Sequence, residues 1–235
     1  MFNLNLKGTE LVKQNTEVAT TTNPKVGKLA DQYAEFAKLV YVIDVSGSMG
    51  TNIYATDENA EETCMSRIEL VRRMGKSELA KRFKKYPNSN VAVVEFGDGA
   101  DIKFDSGTQA DAEQALDELN CDGPRASGTD ILAGIRGAMK AAKKSPSSIG
   151  VHQFIIVSDG GDSGTAYLPE WMPALKASGV TMDYIHIGDE AYMNTYLKTA
   201  CEELGGVAVA VNTIEAFKEK FLAAAGRLMI AAPTA

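Results

Sequence analysis

The run Lys38-Leu39-Val40-Tyr41-Val42-Ile43-Asp44-Val45-Ser46-Gly47-Ser48-Met49-Gly50 constrains this chain more than any other stretch. It is unbroken in apolar, β-branched and aromatic residues until it meets an aspartate and then a loop of small hydroxyl residues. Such a run reads as a strand buried on both faces, the kind found in parallel sheets covered by helices. Open sheets of that kind place ligands outside the carboxyl ends of their strands, where the polar residues of this run begin. Asp44, Ser46 and Ser48 alternate, so an extended backbone would turn all three to one side. One carboxylate and two hydroxyls on a common point form a hard-oxygen site suited to a small divalent cation.

The rest of the chain supports an α/β reading. Val91–Phe96 and Val151–Val157 repeat the buried-strand pattern, and Thr181–Ile187 and Val207–Val211 are further strands. Helices are expected over Ser66–Tyr86, where Ser66 and Glu69 make a capping box, and over Thr108–Leu119 and Thr129–Lys144. Three more are expected over Leu168–Ala177, Ala191–Leu204 and Asn212–Arg227. Strands alternating with helices predict a doubly wound, mostly parallel sheet with helices on both faces. The short Gly97-Asp98-Gly99 turn makes one exception. The segment after it, with Ile102 and Phe104 alternating with charged residues, must run antiparallel and close one sheet edge. Thr51–Met65, rich in Asp and Glu, reads as a loop. Residues 1–37 are expected to be an N-terminal extension, flexible or an arm, 38–227 the domain and 228–235 a tail.

At 235 residues with 45% hydrophobic and 23% charged positions, the chain has the composition of a soluble globular protein with a sizeable core. Its net charge of -7 argues against nucleic acid as a partner, which needs a clustered basic surface. Cys64, Cys121 and Cys201 are odd in number and lack metal-site spacing, so reduced thiols are expected. With neither a signal-like start nor an apolar span, the expected location is cytoplasmic. The basic residues of the Ser66–Tyr86 helix suggest either a solvated face or a surface for an acidic partner.

Three loops are thereby brought to one sheet edge: Asp44/Ser46/Ser48, Ser127-Gly128-Thr129-Asp130, and Ser158-Asp159-Gly160. On these residues the chain resembles the von Willebrand factor A (VWA) domain family from about Leu39 to Arg227. The D-x-S-x-S of Asp44, Ser46 and Ser48, Thr129 in its G-T-D context and Asp159 in its S-D-G context match that family's metal-ion-dependent adhesion site. The resemblance implies that Ser46, Ser48 and Thr129 ligate Mg²⁺ or Mn²⁺ directly, with Asp44 and Asp159 acting directly or through water. Mg²⁺ prefers six oxygens with carboxylates among them, so a shell dominated by neutral hydroxyls leaves it demanding another anionic ligand. An Asp or Glu of a partner protein would satisfy that demand. The resemblance also suggests a prokaryotic or viral single-domain form. Among intracellular relatives of that kind, AAA+ ATPases of the MoxR or chelatase type are frequent partners, as are stress and metal-resistance systems.

Other residues surround this core set. Glu61 and Glu62, with Asp57 and Glu58, are candidates to supply a sixth ligand in cis and hold the site closed. Asp130 and Asp162 would add charge and shift preference toward Ca²⁺ or Mn²⁺, although a helix N-terminus equally favours an acid at 130. Tyr167 and Trp171 are candidates for a partner-facing rim, or for helix packing. Two other function classes stay open. A phosphohydrolase would use Asp44 as nucleophile, but Ser46 stands where such enzymes need a second aspartate as acid/base. A structural assembly subunit would use the fold without metal. The expectation is a protein-binding module without catalytic activity.

Overall fold

In the computed structural model, which describes residues 37–56, 63–143, 152–161 and 164–227, the apolar run forms strand β1 (Lys38–Asp44), and all seven of its residues are buried. β1 pairs in parallel with β4 (Val91–Phe96) on one side and with β6 (His152–Ser158) on the other. β7 (Val180–Ile187) and β8 (Ala208–Val211) extend the sheet in parallel beyond β6. β5 (Ala100–Asp105) runs antiparallel to β4 and closes the opposite edge, so the order is β5-β4-β1-β6-β7-β8. The Gly97–Gly99 turn is too short for a crossover, which is why this strand alone is reversed. The chain leaves β1 toward β4 and later returns to its other side at β6. The carboxyl end of β1 is therefore a topological switch point.

Among the described residues six helices cover the sheet: α1 (Arg67–Lys85), α2 (Gln109–Asp117), α3 (Ile131–Lys143), α4 (Leu168–Ala177), α5 (Thr195–Glu203) and α6 (Ile214–Arg227). The alternation of β1 divides them. Leu39, Tyr41 and Ile43 pack in one core with α1, α2 and α6, and Val40 and Val42 in a second core with α3, α4 and α5. Tyr41 stacks on Phe221 at 5.7 Å, and Phe221 on Phe217 at 5.4 Å. Burying such side chains stabilises the fold by about 1.5–3 kcal/mol each. The fold is α/β, with a mostly parallel sheet, one antiparallel edge strand and helices on both faces. None of the described helices is long and apolar enough to cross a membrane.

Local chemistry sets several helix ends. Ser66 Oγ accepts the Glu69 amide at 3.3 Å, one half of the expected capping box. The Glu69 carboxylate instead takes Arg73 at 2.7 Å and Arg72 at 3.5 Å. Thr108 and Asp111 make a complete capping box at α2. Much of the basic content of α1 is turned to the protein itself. Arg72 donates to the Leu119 carbonyl, Lys76 pairs with Asp117 at 2.6 Å, and Arg82 is buried. Lys38, fully buried at the start of β1, joins Asp105 of the edge strand to the Ala141 carbonyl of α3.

Two expectations need correction. Thr51–Met65 is not loop throughout, because Asn52–Tyr54 (β2) and Cys64–Ser66 (β3) pair as an antiparallel hairpin. Ile53 and Met65 lie opposite one another and bury their side chains in the α1/α6 core, which pins the register. Thr129 lies outside α3 rather than opening it. Asp130 Oδ1 accepts the Ala133 amide at 2.8 Å, so the helix begins after this cap. Residues 1–36 of the expected N-terminal extension, the acids at 57, 58, 61 and 62, Asp162 and the C-terminal tail all lie outside the described residues, whereas Ala37 is buried in the core with α1, α2 and α6.

Helix α3 sits unusually close to the sheet, and its glycines permit this. A Cβ added at Gly134 would lie 2.8 Å from the Phe96 ring and 3.0 Å from Val42 Cγ1. Gly134→Ala would gain about 1 kcal/mol of helix propensity, but neither the ring nor the β-branched valine has room to yield. A net loss of about 1–3 kcal/mol is expected, read as a lower urea midpoint. An unchanged midpoint would show that α3 can lift from the sheet without losing contact.

Candidate metal centre

Asp44 ends β1 with its side chain sealed between strands. Its Oδ1 accepts the Ser46 amide at 2.8 Å and its Oδ2 accepts Ser158 Oγ at 2.6 Å. Burial pushes its carboxyl up to about 6, a rise that the Ser158 and Ser46 hydrogen bonds oppose and the charge of Asp159 reinforces. After Ser46 the backbone is not extended, as the alternation suggested. Gly47–Gly50 forms a 3-10 turn with Met49 buried beneath it. It is this turn, rather than strand alternation, that brings the hydroxyls together.

Ser46 Oγ stands 3.1 Å from Ser48 Oγ, and Ser48 Oγ donates to Asp159 Oδ1 at 2.8 Å. Asp159, at the end of β6, has a side chain only 2% exposed. The structure thus joins Asp44, Ser46, Ser48 and Asp159 through one hydrogen-bonded set, with Ser158 as an added member that fixes the Asp44 carboxylate. Thr129 lies beyond this set, half-buried on the neighbouring loop. That loop is tied to the others through its backbone. Gly47 N–H donates to the Ala126 carbonyl at 3.0 Å, Asp98 N–H to the Arg125 carbonyl at 3.1 Å, and Asp130 N–H to the Gly97 carbonyl at 2.6 Å. Ser127 Oγ adds a bond to Asp98 Oδ2 at 3.0 Å.

The donor set can be compared with what a cation requires. An octahedral ion with bonds of about 2.1 Å holds neighbouring oxygens about 3 Å apart. The Ser46–Ser48 separation of 3.1 Å and the Ser48–Asp159 separation of 2.8 Å both lie near that edge length. Both are also hydrogen-bond lengths, and it is the chemistry of the donors, hydroxyl and carboxylate oxygens gathered at one point, that fits a small, hard divalent cation. Among the described residues no group of three or more His, Cys, Asp and Glu converges in the manner of a soft or carboxylate-rich site. Two carboxylates and uncharged hydroxyls supply the oxygens.

The remaining candidates fall in different places. Asp130 is occupied in capping α3. Tyr167 is 59% exposed, beside the short turn leading into α4. Trp171 packs against the α3/α4/α5 core, with the Arg136 guanidinium 5.5 Å from its ring centroid, and so serves helix packing. His152 and His186 are buried within strands, and burial holds both below the ordinary histidine range.

Sequence reasoning missed Arg67. This first residue of α1 pairs through Nη1 with Asp159 Oδ2, and the same nitrogen lies 3.5 Å from the Ser48 carbonyl. A signal was available, since a cation in the first turn of a helix opposes the macrodipole and calls for a nearby anion.

The family model for the von Willebrand factor type A domain matches residues 39–161, which include Asp44, Ser46, Ser48, Thr129 and Asp159. No curated protein sequence matches the chain. Solved structures with the same fold include the PilB minor pilin from Streptococcus sanguinis (TM-score 0.64, 15% identity, 82% of this chain and 61% of the pilin). Another is proximal thread matrix protein 1 from the mussel byssus, described with a zinc-occupied MIDAS motif (TM-score 0.60, 20% identity, 82% of this chain and 46% of that one). A third is the SpRpn10 VWA domain (TM-score 0.56, 16% identity, 75% of this chain and 88% of that one). The chain thus spans less than two thirds of the pilin and of the byssus protein, and most of the third.

Proposed function

Because the chain belongs to the von Willebrand factor type A domain family, we propose that it is a metal-dependent protein-binding module. In this reading Ser46, Ser48, Thr129, Asp44 and Asp159 hold Mg²⁺ or Mn²⁺ at the carboxyl edge of the sheet. The cation supplies a Lewis-acidic position that an Asp or Glu of a partner completes. One observation carries the reading: Ser46 Oγ, Ser48 Oγ and Asp159 Oδ1, all hard oxygen donors, converge at the carboxyl edge of the sheet, 3.1 and 2.8 Å from one to the next. The zinc in the byssus protein's motif supports it as a case of metal on a like fold.

The protein's own part is preorganisation. The Ser46 amide and Ser158 hydroxyl hold the Asp44 carboxylate still, buried Met49 anchors the serine turn, and the Gly97 turn carries the loop of Thr129. A bound cation would offset the cost of keeping Asp44 ionised in a buried position. The site is taken as non-catalytic, since Ser46 lacks the acid/base capacity a phosphohydrolase would require there. The expected partner class, from the family resemblance, is an AAA+ ATPase presenting an acidic residue.

The test is a pull-down with the wild-type chain and a Ser46→Ala/Ser48→Ala variant, each in Mg²⁺ and in chelator. A protein held only by the wild type in Mg²⁺ is the expected result, after which Asp or Glu substitutions in that protein should abolish retention. A partner held equally well in chelator would overturn metal-bridged capture.

A further inference from the structure

We propose that Arg67 is a built-in counter-cation of this site, which weakens binding of a bare metal ion and strengthens the hold on the carboxylate of an acidic partner. The inference rests on the metal-binding reading above and concerns what regulates it.

Arg67 occupies a position that its own helix disfavours. It is the first residue of α1, where the partial positive charge of the helix N-terminus repels a guanidinium. What holds it there is Asp159: Nη1 pairs with Oδ2, while Oδ1 of the same carboxylate accepts Ser48 Oγ at 2.8 Å. The Asp159 side chain is 2% exposed and that of Arg67 24%, so water screens the pair only in part. Arg67 Nη1 also lies 3.5 Å from the Ser48 carbonyl, which places its positive charge against the serine turn itself.

Charge accounting gives the consequence. The two carboxylates, Asp44 and Asp159, would balance the charge of a divalent cation, so a partner's acid would be drawn by the open coordination position and not by excess charge. With Arg67 paired to Asp159, the same cation leaves the site with one excess positive charge. A partner's carboxylate restores neutrality. Arg67 therefore raises the cost of holding the metal and lowers that of holding a partner's acid, so that metal is retained chiefly through its direct contact with that acid. A guanidinium suits this role because it can grip one carboxylate oxygen while the other accepts Ser48 Oγ.

The test uses Mn²⁺ alone as probe, with isothermal titration on the full chain and on Arg67→Gln and Arg67→Lys variants after chelator treatment. Arg67→Gln should bind Mn²⁺ at least ten-fold more tightly than wild type, and Arg67→Lys, which keeps the charge, should stay near wild type. A brace that merely orients Asp159 would give the opposite sign, so equal or weaker binding by Arg67→Gln overturns the inference. Tightening of Arg67→Lys to the same extent as Arg67→Gln would also overturn it, since charge would then not be the cause. If neither the wild type nor Arg67→Gln binds Mn²⁺ while both melt cooperatively, the metal-binding reading itself fails. Wild-type binding with no tightening in Arg67→Gln leaves that reading standing and removes only the role given to Arg67.

Discussion

Asp44→Asn should abolish Mn²⁺-dependent thermal stabilisation and, in chelator, should make the protein more stable than wild type. An asparagine fits the same space: its carbonyl can accept the Ser46 amide and its NH₂ can donate to Ser158 Oγ, the two groups that Asp44 now engages at 2.8 and 2.6 Å. What changes is the charge. Keeping a carboxyl ionised at neutral pH when burial has moved it from 3.8 to about 6 costs the metal-free fold about 3 kcal/mol. Removing that charge should raise the melting temperature in chelator by roughly 6 to 12 °C for a domain of this size. The sign also predicts a pH dependence. A carboxyl whose folded value is raised contributes stability below its unfolded value and loses it as pH rises through the folded one. The advantage of Asp44→Asn over wild type should therefore shrink as pH falls through about 6. Melting curves in chelator and in Mn²⁺ read both effects. A variant less stable than wild type in chelator would show that the Asp44 charge supports the fold rather than burdening it.

Gly97→Ala should have the largest effect on the site's shape. A Cβ at Gly97 would stand 1.7 Å from the Arg125 carbonyl oxygen and 2.7 Å from its carbon, a clash with backbone that no rotamer relieves. The loop of Thr129 rests on this turn through the Asp98–Arg125 and Asp130–Gly97 backbone bonds, so it must move away. The expected cost is about 1–3 kcal/mol or somewhat more. Mn²⁺ affinity should fall at least ten-fold because Thr129 and the Ala126 contact to Gly47 shift together. Titration of the folded variant measures this. Unchanged Mn²⁺ affinity would mean that the Thr129 loop contributes nothing to metal binding.

These cases mark where sequence was informative. β1, β4 and β6 were legible because a strand buried on both faces must be apolar throughout, a local property that needs no partner to be seen. The reversed edge strand followed from the length of the Gly97–Gly99 turn alone. Asp44, Ser46, Ser48 and Asp159 were legible as a group because each follows the carboxyl end of a buried strand. The manner of their convergence was not, since the 3-10 turn at Gly47–Gly50 depends on Met49 finding the core. The β2/β3 hairpin was hidden for a similar reason. Its acidic composition suggests loop, and only the burial of Ile53 and Met65 outweighs that preference.

The chain by itself determined its class of fold and the sheet edge at which Asp44, Ser46, Ser48 and Asp159 meet. These follow from residue type, period and order along the chain. Tertiary structure alone decided that Arg67 faces Asp159, that Ser158 fixes Asp44 and that Gly97 carries the loop of Thr129. Each of these is a contact between segments far apart in sequence. Its partner is set by how the elements pack, and local preference carries no record of that choice.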